Sequence, residues 1–310
     1  MRTDSVLLLR TMPAVFVVIW STGFVVARFG MPHAPPLGFL TVRYALSIVA
    51  FLVWVGWAGA AWPRGRSQWL HLAVSGVLMH AAYLGGVWVA VKGGLGAGLA
   101  ALMVGLQPIL TALWINATGG NHRVSARQWF GLALGLAGLM LVLGHKLRLG
   151  EASPANIAAG VFALLSITAG TLYQKRWVEP CDVRTANTVQ LLAALAVTAP
   201  LAVLENGSVQ MHPELVGAMA WSVLVLTLGG SSLLYLLLQR GAATAVASLM
   251  YLVPPTTALM AWLLFGEPLT ANVLAGLALA AVGVALVVRA GVAASTPTLP
   301  NLPTKPKESP

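Results

Sequence analysis

The side chains able to do chemistry in this chain are few, and they sit inside apolar runs. His80 lies midway along residues 69–91, WLHLAVSGVLMHAAYLGGVWVAV. A polar ring among such neighbours is costly at membrane depth and turns toward a cavity or a partner. Tyr83 and Val87, three and seven residues on, share its helical face. Two readings fit His80: a substrate hydrogen bond or proton-sensitive contact, or an interhelical bond to a serine or threonine. Trp20, followed by Ser21, Thr22 and Gly23, is central in its own run. Its indole N–H needs a partner there, so it is either an aromatic wall for a ring-bearing solute or a packing residue.

Gln107-Pro108 and Pro254-Pro255 occupy equivalent places in two other runs. Proline removes a donor and frees a carbonyl one turn back, and in a bilayer that carbonyl must be met by side chains, water or ligand. A matched pair of broken helices marks a transporter site; the bland alternative is a pair of kinks. Gln107 offers an amide to a carboxylate or an ammonium, and Tyr251 lies one turn before Pro255. Tyr173 and Ser232 come from runs rich in small polar residues, Ser166 to Tyr173 and Thr227 to Tyr235. Those hydroxyls serve either a zwitterion or close helix packing. The candidate binding set is therefore Trp20, His80, Tyr83, Gln107, Tyr173, Ser232 and Tyr251, with helix breaks at Pro108, Pro254 and Pro255.

What is missing narrows the chemistry. There is no HExxH, no phosphate-binding loop, no Cys/His metal cluster and no acid at the centre of an apolar run. No cofactor, metal or enzymatic activity is expected. Proton-driven carriers usually keep an intramembrane carboxylate. Facilitated movement of a solute is the expectation, or proton coupling through His80. A neutral or zwitterionic solute suits a pocket of aromatics, amides and hydroxyls.

These residues must be positioned by membrane helices. Of 310 residues, 58% are hydrophobic and 8% charged, against about a quarter charged in soluble domains. Ten windows can span a bilayer: 12–32, 37–59, 68–91, 96–116, 127–144, 155–175, 185–204, 215–238, 243–265 and 271–289. The runs are continuous, unlike the alternating strands of a barrel. The first has no small-residue cleavage site after it and is expected to remain as a helix. The net charge of +10 lies between the runs, which points to topology rather than to nucleic acid. One cysteine, Cys181, excludes an internal disulfide framework. With the N-terminus inside, thirteen basic residues fall on the inner side and three (Lys92, Lys146 and Arg148) outside, so both termini are expected to be cytoplasmic. The proline-rich tail, 291–310, is expected to be disordered.

The chain also repeats itself. Leu102-Met103 and Pro108 recur as Leu249-Met250 and Pro255 at a shift of 147 residues, and the Gly-Leu-Ala-Leu at 131 recurs at 276. This divides the chain into 12–144 and 155–289. Five helices is an odd number, so the second copy enters the membrane inverted. Charges agree: the loop with Arg64 and Arg66 corresponds to one with Glu205 and Glu214. Gly131, Gly135 and Gly138, with Gly276 and Gly283, read as smooth packing faces.

GEPLTANVLAGLALAAVGVALVV, from Gly266, resembles the end of the EamA-type repeat of the drug/metabolite transporter superfamily. Trp20-Ser-Thr-Gly-Phe and Phe39-Leu-Thr-Val-Arg43-Tyr-Ala-Leu resemble its first- and second-helix elements, while Asn121-His122 stands where a glutamate is usual. The resemblance covers residues 13–290 and is nearest to YddG-type aromatic amino acid exporters. It implies an all-α membrane protein of ten helices in two inverted five-helix repeats, in the bacterial inner membrane. It also implies alternating access, with helices 1, 3, 4, 6, 8 and 9 around the solute. Trp20 and Tyr83 would stack on a ring, and His80 and Gln107 would hold polar groups. The expected partners are an aromatic or neutral amino acid and the lipid bilayer, not nucleic acid, with the chain a monomer or weak homodimer. Export of another metabolite or drug is the alternative.

Overall fold

A computed structural model describes residues 2–117, 125–148, 152–230, 233 and 252–294. They form α1 (Arg2–Gly30), α2 (Pro36–Ala58), α3 (Arg66–Lys92), α4 (Ala97–Val104), α5 (Gln107–Ala117), α6 (Ala126–Arg148), α7 (Pro154–Trp177), α8 (Val183–Leu204), α9 (Pro213–Gly230), α10 (Val253–Phe265) and α11 (Ala271–Ala294). Among the described residues, six helices are long and apolar enough to cross a membrane, and four apolar helices are shorter. Val53, Phe130, Met140 and Leu263 lie exposed on the outside of the bundle, as lipid-facing side chains do.

Local chemistry explains the boundaries. Pro36 starts α2, where a missing N–H costs nothing, and Gly59 ends it in a left-handed conformation (φ 59°). Ser153 and Asn156 form a reciprocal capping box on α7. The window 96–116 is two helices rather than one, with Gly105 and Leu106 as a turn between α4 and α5. Pro108 has no N–H to continue the ladder and its ring crowds the carbonyl of Val104, the last residue of α4. Its counterparts Pro254 and Pro255 lie in the first turn of α10. The windows 215–238 and 243–265 are seen to Gly230 and from Val253. Ser232, Tyr251 and Asn121-His122 lie outside the described residues.

Asp182 begins α8. Its carboxylate accepts from the Arg184 backbone N–H (2.9 Å) and pairs with the guanidinium (2.7 Å). The hydrogen bond from Arg184 holds the carboxyl below its ordinary range. A lowered carboxylate contributes stability above its unfolded pKa and loses it as pH falls through the folded value. Asp182→Ala is expected to cost about 1 kcal/mol. Asp182→Asn should restore most of the cap but not the acid-side slope. Thermal midpoints from neutral to acid pH check both.

The packing repeats with the 147-residue shift. α2 lies along α8, α4 along α10 and α6 along α11; α1 packs on α9 and α10 as α7 packs on α3, α4 and α5. The matched helices run antiparallel. Glu205, just after α8, accepts the Leu37 and Gly38 N–H groups that start α2 (2.8 and 2.9 Å), while Thr185 near the start of α8 donates to the Ala61 carbonyl beyond α2 (3.0 Å). Glu267, after α10, accepts from Ala97 at the start of α4 (3.0 Å). A carboxylate at a helix N-terminus satisfies orphan donors and meets the positive end of the dipole. Glu267 thus caps a helix of the other half as well as closing its own. Along α6 and α11, a Cβ on Gly138 would fall 2.4 Å from the Gly276 carbonyl oxygen, and one on Gly283 2.4 Å from that of Gly131. The glycine faces do pack on each other, backbone to backbone.

Tryptophans near helix ends commonly serve as anchors at the membrane interface, and one here does not. Trp57, Trp62, Trp69 and Trp114 are exposed, but Trp88 is buried and stacks on Phe39 (4.3 Å), with Gly30 beneath both rings. It lies one turn from the helix end, where α1, α2 and α3 meet, and packing there outweighs proximity to the interface.

Candidate functional site

Among the described residues, two helices depart from α geometry, and they are the pair related by the repeat. α3 is π-helical over Val77–Ala82, and α9 is π-helical over Ser222–Gly230. Such segments widen a helix, shift its register by a residue and recur at functional sites. His80 sits in the first and Thr227 in the second.

α2 places a cation between them. Arg43 is 8% exposed, and its Nη2 and Nε donate to the Thr227 hydroxyl at 3.2 and 3.4 Å. That hydroxyl in turn donates to the Ser222 carbonyl five residues back (2.8 Å). The next residue, Tyr44, donates to the His80 carbonyl in the other π segment (2.9 Å). The guanidinium charge also acts on Tyr44, Tyr83 and the His80 ring. None of the eight acids of the chain falls within the ten apolar windows. Among the described ones, Asp182, Glu205, Glu214 and Glu267 are engaged by other groups. Among the described residues, the buried charge of Arg43 therefore has hydroxyl and aromatic neighbours and no ion pair with a carboxylate.

The repeat shift maps this contact onto a second one. Residue 147 positions after Arg43 is Gln190, and 147 positions after His80 is Thr227. Gln190, on α8, lies beside His80, while Arg43, on α2, donates to Thr227. Its amide also donates to Ser75 (3.2 Å) and Gln174 (3.3 Å), which are bonded to each other at 2.9 Å. The fold thus superimposes a cationic pair and a neutral pair across its centre.

The other expected residues are distributed around this core. Tyr83 is buried beside Arg43. Gln107, at the α4/α5 break, donates to Thr171 on α7 (2.8 Å). The α4/α5 break lies against the start of α10, since a Cβ on Gly105 would fall 2.7 Å from Pro254. Trp20 is partly buried and packs on Phe16 (5.3 Å), while Ser21 and Thr257 tie α1 to the first turns of α10. Tyr173 is farther out: it bonds His71 (2.8 Å), whose ring stacks on Trp177. His71 precedes His80 by nine residues, about 13 Å along a helix. Two small cavities lie between α4, α10 and α11, one beside Lys146 and Glu267 and one beside Gly105, Pro254 and Pro255.

Arg43 and Gln190 were not in the set drawn from sequence, although Arg43 stood in one of its motifs. The signal that would have found them is alignment of Thr41-Val42-Arg43 with Thr188-Val189-Gln190. That alignment identifies the one position of α2 and α8 where a cation and an amide exchange.

Comparison with known proteins bears on what such a bundle is. The EamA-like transporter family matches twice, over residues 11–144 and 155–289. The inner membrane transporter YedA of Escherichia coli K12 is 29% identical over 258 residues, 82% of this chain and 81% of YedA. A probable amino-acid metabolite efflux pump of Salmonella typhimurium LT2 is 24% identical over 277 residues, 86% of this chain and 90% of the pump. A solved crystal structure shares the fold with a TM-score of 0.64, covering 90% of this chain and 96% of its own at 16% identity. With the family matched over both halves of a helical bundle, the chain is a multi-pass membrane protein and belongs to the EamA-like transporter family.

Proposed function

We infer that this protein exports aromatic or other neutral amino acids across the bacterial inner membrane, by alternating access around the centre formed by α2, α3, α8 and α9. The observation that carries the reading is Arg43, a buried guanidinium among hydroxyl and aromatic groups with no carboxylate partner among the described residues. A solute carboxylate would supply the missing charge. Tyr83 and Trp20 would take the ring, and His80, Gln107 and Gln190 would take the ammonium or further polar groups. Ser232 and Tyr251 belong to the same set. The name of the Salmonella relative accords with a solute of this class.

The architecture proposed is ten membrane helices in two inverted five-helix repeats, 12–144 and 155–289, with both termini cytoplasmic. The antiparallel pairing of α2 with α8 and of α6 with α11, each the repeat partner of the other, supports the inversion, since inverted repeats are related by a two-fold axis in the membrane plane. Broken helices and π segments at matched places then give each half the same hinge points. No acid lies within a membrane run, so export runs down the solute gradient without a coupled proton.

Counterflow of radiolabelled phenylalanine or tryptophan in proteoliposomes tests this. Uptake into vesicles preloaded with unlabelled amino acid is expected at equal pH on both sides. His80→Ala should lower the rate without creating a need for a pH gradient. A strict gradient requirement, lost in His80→Ala, would overturn the facilitative mechanism. Absence of counterflow in folded protein would sink the aromatic amino acid assignment.

A further inference from the structure

The turn between α1 and α2 and the connection from α8 to α9 meet at one end of the bundle. They are stitched by the Gln210 N–H, which donates to the His33 carbonyl at 2.8 Å. Three metal-ligating side chains converge there. His33 Nε2 lies 2.9 Å from Glu214 Oε2, and His212 Nδ1 lies 3.8 Å from the same oxygen. One ligand atom from each residue falls within 4.8 Å of the others. The imidazoles of His33 and His212 are stacked, with centroids 4.2 Å apart and planes 11° from parallel.

We propose that His33, His212 and Glu214 bind a first-row divalent metal ion of the zinc type, with one ligand from the first half of the chain and two from the second. Zinc holds imidazole nitrogen and carboxylate oxygen at about 2.0–2.2 Å, which sets tetrahedral ligands about 3.3 Å apart. The observed separations of 2.9 and 3.8 Å lie on either side of that spacing. Two histidines and one carboxylate are a zinc ligand set with a position left for water.

His212 carries a second indication. It occupies the N-cap of α9, a position usually held by Ser, Thr, Asp or Asn. Its Nδ1 accepts from the Glu214 N–H at a long 3.3 Å, so that lone pair is weakly used. The side chains of His212 and Glu214 are about half exposed (48% and 47%) and that of His33 less so (15%), an arrangement open to an ion from solvent. Nearby, Lys92 is held by the Met31 carbonyl at 2.5 Å, two residues before His33. A cation so close weakens attraction for a second one, and affinity in the micromolar range is expected. With the termini cytoplasmic, this end of the bundle faces outward, so an ion there would tie the two halves together on the outer side.

The test uses untagged full-length protein in detergent at neutral pH, titrated with Zn²⁺ by calorimetry and with Co²⁺ by visible absorption. Wild type is expected to bind one Zn²⁺ per chain and to show the intense visible bands of Co²⁺ at low coordination number. His33→Ala, His212→Ala and Glu214→Gln should each weaken binding at least about tenfold. His71→Ala with His145→Ala should leave it unchanged. Elution volume and the metal-free thermal midpoint report folding of each variant, and Glu214→Gln keeps the shape of the site should an alanine variant fail. No Zn²⁺ binding by wild type, or binding undiminished by Glu214→Gln and the histidine variants, would overturn the proposal and leave a hydrogen-bonded cluster only.

Discussion

Replacing Arg43 by methionine is expected to raise the half-saturating solute concentration at least about tenfold while the thermal midpoint stays level or rises. A hydrogen bond to a charged group is worth about 1.5–3 kcal/mol, and about 1.4 kcal/mol is a factor of ten in affinity. Arg43 is buried against α9 with the Thr227 hydroxyl as its hydrogen-bond partner. A buried charge without an opposite charge pays desolvation that a single hydroxyl does not offset. A protein that retains such a group gives up stability for another purpose. Methionine fills similar volume without charge, so the two roles separate. If Arg43 binds the solute carboxylate, Arg43→Met loses transport and keeps or gains stability. If Arg43 only braces α2 against α9, Arg43→Met loses stability, and Thr227→Val loses a similar amount. Counterflow concentration curves beside thermal melts of the same preparations distinguish the two. Loss of stability with an unchanged half-saturating concentration would remove Arg43 from the site.

Gly76→Ala should be the most damaging single-methyl change in the centre of the bundle. A Cβ at Gly76 would fall 2.3, 2.5 and 2.7 Å from the carbonyl oxygen, Cα and carbonyl carbon of Gln190. These are backbone atoms of α8, so no rotamer change relieves the contact and the helices must separate. Overpacking costs about 1–3 kcal/mol, and the upper end applies where backbone is the obstacle. That corresponds to a drop in thermal midpoint of roughly 5 °C or more. Transport should fall as well, because Gly76 immediately precedes the π segment carrying His80, and its obstacle is the residue that meets the His80 ring. The control is Gly56→Ala on α2, where an added Cβ meets nothing within 4 Å. That change should be neutral or mildly stabilising, since alanine favours helix over glycine by up to about 1 kcal/mol. Equal behaviour of the two variants would refute the close approach of α3 and α8.

The residue sequence by itself determined that the chain is a bundle of membrane helices, that it is built twice, and that the run around Pro108 is broken. Those properties are local or follow from counting. Hydropathy acts over a window of about 20 residues, Pro108 lacks its N–H whatever surrounds it, and the 147-residue shift is visible in the letters. The glycine faces of α6 and α11 were legible for the same reason, because small residues at helical spacing need only each other. Which polar groups converge was decided by tertiary structure. Each residue turns a helix by about 100°, so the π segments in α3 and α9 redirect every side chain beyond them relative to a regular helix. His80 therefore lies beside Gln190 rather than an undetermined serine or threonine, and Tyr173 pairs with His71 about two and a half helix turns away from the centre. Arg43 reached Thr227, and His33 reached Glu214, across 184 and 181 residues of sequence. No spacing rule spans such distances, since only the crossing and rotation of packed helices bring those residues together.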